Sequence, residues 1–276
     1  LPEEALWGQV TDFVAGREPG QVVADEIAWW EDWHQGEVVP EGLSEDELAV
    51  FRQSTAVLKM SQVRETAETG CPSDRCHGQI LASLVPGVWS IAWVRDAAYA
   101  IVGLVKAGHF EEARAALAFM LKATMRPHPD GNYYQVVHIE SSDPAEGIWG
   151  LGRLLPDSYA ISVARYFGSG LEESDANHAG PNIEWDNWGL FLWAFAEYVD
   201  AADDGEFLTT WWPTVSDRCA DLLVALVDET GLLGEDSSIW ERHWCPHGAC
   251  DEPETRKHHG YSSVMAVQGL RWMARL

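Results

Sequence analysis

Two kinds of helix-like segment alternate along this chain, and the alternation constrains the fold more than any other feature. The first segment opens at Ser44, where Glu47 completes a capping box, and is expected to run to Glu65. Its apolar positions Leu48, Phe51 and Leu58 lie on one side. Residues 97–107 are apolar nearly all round, from Ala97 to Val105, and stop at Gly108. Residues 110–124 return to one stripe, Ala113, Ala116, Leu117, Met120 and Leu121, with Glu111, Glu112, Arg114 and Lys122 facing away. Asn187–Ala201 is again apolar all round, and 207–228 again one-sided, through Leu208, Trp211, Trp212, Val215, Cys219 and Leu222. The last, 262–276, is expected to be buried. A helix apolar on every face must be covered on every face. Consecutive helices tend to be spatial neighbours. The alternation therefore predicts an all-α fold with an inner layer of helices wrapped by an outer one.

Two further helices, 3–14 and 22–34, precede this array and carry Trp7, Trp29, Trp30 and Trp33 on faces that read as exposed. Residues 1–43 are thus expected to be a lead-in and 44–276 a catalytic-type domain. The stretch 126–180 has no helical periodicity. Tyr133–Ile139 and Ser158–Phe167 read as strands or extended arms. An excursion of that length inside a compact domain is usually functional.

Composition narrows the partners. The formal charge is -26, from 44 acidic against 18 basic residues. So acidic a surface repels phosphate backbones and anionic lipid, which argues against nucleic acid and membrane partners. No apolar run approaches the ~18 residues of a membrane span. The fifteen tryptophans suit stacking on the C–H faces of sugars, although they also pack helices well. A neutral carbohydrate is the expected partner. Cys71 and Cys76, and Cys245 and Cys250, are spaced to close small disulfide loops, which points to an extracellular or periplasmic location. Cys219 is left over on an apolar helix face. The chain opens at Leu1-Pro2 and is read as a mature or trimmed product.

Three polar motifs sit just before or upstream of the all-round apolar helices. Trp93-Val-Arg-Asp96 places a cation beside an anion behind a tryptophan. Gly180-Pro-Asn-Ile-Glu-Trp-Asp186 places Glu184 and Asp186 around Trp185. Asp236-Ser-Ser-Ile-Trp-Glu241 ends a polar turn on a carboxyl that follows Trp240. In a two-layer array these loops share one rim. A large apolar neighbour raises the cost of ionising a carboxyl, so Glu241 is a candidate general acid.

Taken in order, these motifs resemble the catalytic domain of glycoside hydrolase family 15, the glucoamylase and glucodextranase group. Trp93-Val-Arg-Asp96-Ala resembles the family's arginine–aspartate substrate motif, and Ser238-Ile-Trp-Glu241-Arg242 its general-acid motif. His259-Gly-Tyr-Ser-Ser-Val-Met-Ala266 resembles the segment that follows, and Asp186 with Gly189 the opening of the intervening inner helix. The resemblance spans roughly residues 44–276. It implies an (α/α)6 barrel of twelve helices, of which about half are countable here. It implies inverting, exo-acting hydrolysis of terminal α-glucosyl residues without a cofactor or metal. Glu241 would be the acid. Trp93, Arg95, Asp96, Glu184, Asp186, Trp240 and Arg242 would bind substrate. The family's catalytic base lies later in its barrel. The resemblance therefore implies a C-terminal half, on a second chain or on the remainder of the polypeptide.

Two other readings remain open at this point. One is a non-catalytic carbohydrate-binding protein on the same scaffold, lacking the base. The other is a metalloenzyme using His243, Cys245, His247 and Cys250, with His258 and His259 nearby, though their spacing matches no strong zinc signature. Carboxylates available as a base within the chain are Glu172, Glu173, Glu184 and Asp186.

Overall fold

The computed structural model describes residues 3–64, 76–84, 86–87, 89–123, 159–173, 182–241 and 257–276. It is mostly helical. The chain separates into two compact units, Leu1–Arg52 and Gln53–Leu276, with the division inside a helix.

The first unit holds α1 (Glu3–Val14), α2 (Pro19–His34) and the start of α3 (Glu45–Ser61). Pro19 opens α2 three residues before the expected start, because a proline at the first helical position gives up only an orphan N–H. Trp29, Trp30, Trp33 and His34 form an edge-on ladder along α2, with successive centroids 4.8, 5.6 and 5.1 Å apart. The capping box of α3 forms as expected: Ser44 N donates to Glu47 Oε2 at 2.8 Å and Glu47 N donates to Ser44 Oγ at 3.3 Å. The helix stops at Ser61, short of Glu65. Gln62 leaves it to bridge Ile80, and its side chain donates to Gly78 O and Glu112 O.

In the second unit, α4 (Val94–Lys106), α5 (Phe110–Lys122) and α6 (Asp186–Ala202) build most of the core. Of the two all-round apolar segments, that of α6 is buried nearly throughout, whereas α4 leaves Asp96, Tyr99 and Lys106 exposed along one side. In α6 the burial runs unbroken from Asp186 to Leu192. Helix α5 buries its expected stripe. It also buries Glu112, which the sequence placed on the outer face, because Lys59 Nζ reaches Glu112 Oε1 at 2.5 Å. The one-sided segment 207–228 breaks into α7 (Gly205–Val215), a π-helical turn Ser216–Ala220 and α8 (Asp221–Ala225), following Pro213. Its buried stripe is Phe207, Val215, Cys219 and Leu223.

Helix α9 (Gly260–Met273) departs from expectation. It buries one face only, Ser262, Ala266, Gly269 and Met273, while Val264 and Val267 are exposed. The buried face meets α6 through glycines. A Cβ on Gly189 would lie 2.3 Å from Met265 O, and one on Gly269 would lie 2.1 Å from Gly189 O. Helix α6 therefore packs against both α4 and α9.

A small antiparallel sheet joins β1 (Ala92–Trp93), β2 (Arg165–Tyr166) and β3 (Glu172–Glu173). Only these short pairs of the expected extended stretch are strands among the described residues. Tyr133–Ile139, Arg242, Cys71, Cys245, Cys250 and the other members of the Cys/His insert lie outside the described residues. Cys76 is buried and Cys219 is a buried free thiol. No helix among the described residues is long and apolar enough to cross a membrane.

Candidate active site

The sheet delivers the first motif. Trp93 pairs with Arg165, and Val94 N donates to Ala164 O at 3.1 Å, so the strand turns into α4 with Arg95 and Asp96 in its first turn. The second motif is tied to the same loop. Glu184 N donates to Val163 O at 2.9 Å, and Asn187 Nδ2 donates to the carbonyls of Val163 and Ala164 at 3.1 Å. The third motif runs beside the second. Ser237 N donates to Ile183 O at 2.5 Å, Ile183 N to Ser237 Oγ at 3.0 Å, and Trp185 N to Asp236 Oδ2 at 3.1 Å. Ser262 Oγ, in the first turn of α9, donates to Asp236 Oδ2 at 2.5 Å. Asp236 is thus a tie between two loops and a helix.

These ties bring all three motifs to one guanidinium. Arg95 pairs with Glu184 in a short contact and lies 3.6 Å from Asp186, 3.7 Å from Glu241 and 3.9 Å from Asp96. Asn182 Nδ2 donates to the other Glu184 oxygen at 2.9 Å. Asp186 is fully buried, with the Arg95 guanidinium 3.6 Å away as its ion-pair partner.

Sequence reasoning missed Arg165. Its guanidinium stacks 4.6 Å from the Trp93 ring centroid, pairs with Glu173 in a short contact, and lies 3.5 Å from Glu241 Oε2. Glu241 therefore has one oxygen toward Arg95 and the other toward Arg165. The signal was present as a lone arginine inside the apolar run Val163-Ala-Arg-Tyr-Phe167. Glu241 also sits at φ 50°, in the left-handed region, as does Ser238 at φ 56°. Such conformations in non-glycine residues persist where the surroundings over-determine them, and they cluster at functional sites.

The structure corrects the surroundings expected for Glu241. Trp240 is 82% exposed and does not wall the carboxyl in, because the turn between the two left-handed residues carries the indole outward. Two cations surround Glu241 instead. Trp93 contributes by stacking Arg165. Of the other carboxylates, Glu172 is buried and accepts from Tyr159 Oη at 2.7 Å and Val163 N at 2.9 Å, so it anchors the loop.

The electrostatics follow from one arginine facing four carboxyl groups. Burial pushes Glu184 up to about 8, with Arg95 opposing and the charges of Asp186 and Glu241 adding to the rise. Burial lifts Asp186 to about 6 and Asp236 to about 7, the first opposed by Arg95 and the second by the Ser262 hydrogen bond. Asp96 also moves up, through burial partly offset by Arg95. Burial works against the Arg95 cation, but Glu184 and Asp186 more than offset it, and its proton is held more firmly than usual. Of the cluster, Glu184 holds its proton to the highest pH, and it shares full burial of its side chain with Asp186. Asp96 and Glu241 keep exposed surface and can meet the hydroxyl groups of a ligand, whereas Glu184 and Asp186 are buried. The described residues bring together no group of three His, Cys, Asp or Glu side chains able to hold a metal ion. Comparison with family models, with curated proteins and with solved structures finds no match for this chain.

Proposed function

We propose that this chain carries the sugar-binding and proton-donating side of an inverting, exo-acting α-glycoside hydrolase that acts on terminal α-glucosyl residues. The observation that supports it is the meeting of Asp96, Glu184, Asp186 and Glu241 on Arg95, from three loops far apart in sequence. The resemblance to glycoside hydrolase family 15 rests on the same motifs and supplies the reaction class. In the proposed reaction Glu241 is protonated against the pull of Arg95 and Arg165, and gives that proton to the glycosidic oxygen as the C–O bond breaks. A base on the opposite face takes a proton from the attacking water. Arg95 and Asp96 hold hydroxyls of the terminal sugar.

We extend the proposal to architecture: α4, α6 and α9 are inner helices of an (α/α)6 toroid, and α3, α5 and α7–α8 outer ones. The burial of α6 on nearly all sides fits that role, and α4 is buried except along the side that bears Asp96, Tyr99 and Lys106. In this reading the base comes from a further half of the barrel, on a second chain or further polypeptide, which also covers Val264 and Val267 of α9. Of the carboxylates within the chain, Glu172 accepts from Tyr159, Glu173 pairs with Arg165, and Glu184 and Asp186 face Arg95, so each already has a partner. That same observation favours a second reading, a carbohydrate-binding protein without turnover.

The test is release of reducing sugar from maltose-like substrates by the native protein and its Glu241→Gln variant. Loss of a general acid should lower kcat by about 10²–10⁴ while sugar binding survives. A Gln variant as fast as wild type would remove Glu241 from the chemistry. Sugar binding without any release, even when the further half of the barrel is supplied, would favour the second reading.

A further inference from the structure

Beside the Arg95 cluster lies a cavity of about 470 Å³, within the size range of small-ligand sites. Its walls come from the last turns of α3, from residues 80–84 and from the first turns of α4. Arg95 and Asp96 stand at one end, with Tyr99 beside them. The rest is mainly aliphatic, with Val57, Leu58, Ile80 and Leu84 prominent, and carries the two hydroxyls of Ser61 and Ser83. Glu241, Glu184 and Asp186 are not among its walls, although all three reach Arg95. Arg95 therefore separates two environments, a charged cluster on one side and an apolar chamber on the other.

A pocket meant for bare sugar presents hydrogen-bonding groups and aromatic faces, because each hydroxyl stripped of water needs a new partner. Away from Arg95 and Asp96 the walls offer few such partners, Ser83 and a Ser61 hydroxyl already donating to Leu58 O. Aliphatic walls reward hydrocarbon, and the gain grows with each methylene taken from water. The polar end is the reverse, with a carboxylate to accept from a hydroxyl and a guanidinium to donate. An occupant complementary to both ends is an uncharged sugar carrying a short acyl chain. The chain's net charge of -26 disfavours anionic alternatives such as a free fatty acid.

We propose that this cavity is a binding site for an acyl group on the terminal sugar, attached to a hydroxyl distant from the scissile bond. This rests on the glycosidase reading. There the scissile bond lies near Glu241 and the far hydroxyls lie near Arg95 and Asp96. A substituent on those far hydroxyls extends into the chamber. The substrate class is then a partly acylated α-glucoside.

The test compares binding of methyl α-glucoside with binding of its 6-O-hexanoyl ester by titration calorimetry, using wild-type protein and the Leu84→Asp and Val57→Asp variants. Leu84 and Val57 are 41% and 40% exposed, so a carboxylate there changes the chamber wall without loading the core. The ester should bind wild type at least tenfold more tightly than the parent glucoside. Either variant should remove most of that preference and leave the parent glucoside unchanged. Equal binding of the two sugars overturns the acyl site and leaves the glycoside reading standing. A preference for the ester that survives both variants also overturns it, since the acyl group then lies elsewhere. If neither sugar binds, the glycoside reading falls and takes the acyl site with it.

Discussion

Glu184→Gln should flatten much of the protein's pH-dependent loss of stability. In the unfolded chain this carboxyl titrates at an ordinary 4.5, whereas in the fold burial holds its proton to about 8. The folded state thus binds the proton more tightly. Stability from this group is fully present below pH 4.5 and falls as pH rises toward 8. One pH unit inside that window corresponds to 1.36 kcal/mol, so pH 5 to pH 8 spans about 4 kcal/mol at most. Titration tails at both ends bring this to about 3 kcal/mol. Glutamine keeps a carbonyl oxygen for Arg95 and has no proton to lose, so its variant lacks this contribution to the slope. Urea unfolding at pH 5 and pH 8 measures the difference. Wild type should lose about 3 kcal/mol more than the variant across that interval. Asp186 and Asp236 titrate in the same direction in both proteins and leave a shared residual slope. Parallel profiles for the two proteins would show that Glu184 is ionised throughout and that the proton in the cluster lies elsewhere.

Arg165→Met should destabilise the protein by about 3 kcal/mol, because Glu173 and Glu241 lose a shared cation that is itself almost buried. In a Glu173→Gln background the loss in urea melts should be clearly smaller, and an equal loss would deny the pairing. Gly189→Ala should cost about 3 kcal/mol, since its Cβ would meet the Met265 carbonyl and force α6 from α9. Gly103→Ala is the control: only the flexible end of Leu58 lies near its Cβ, at 3.2 Å, so its midpoint should hardly move. Equal shifts for the two glycines would refute the close-contact argument.

The helices and the three motifs were legible for the same reason. A helix apolar on every side can only be buried, and its entry loop then carries polar residues to the rim of the core. Glycine at 189 was visible as part of a motif, but not as the point where two backbones touch. Arg165 was hard to see because it comes from a stretch without periodicity, where two-residue strands leave no pattern to count. Helix α9 misled because its apolar residues occupy both faces, while only the face bearing small side chains meets α6. Trp240 misled because adjacency in sequence was taken as adjacency of side chains. A turn with left-handed residues at both ends points neighbours apart.

The backbone at Glu241 ties these observations to function. A left-handed conformation costs a non-glycine residue about 1–2 kcal/mol, and a glycine at 241 would relieve it. The neighbouring loops supply the restraint that sustains it. Asp236 and Ser237 are fixed by Trp185, Ile183 and Ser262, and the two arginines reach the carboxyl from opposite ends. Each arginine is in turn held by a second carboxyl, Glu184 or Glu173. A carboxyl kept only for stability would gain little from so many supports at an exposed turn. A carboxyl whose position must be fixed relative to a bound molecule would gain from every one, because misplacement of a reacting group by about 1 Å can cost a hundredfold in rate.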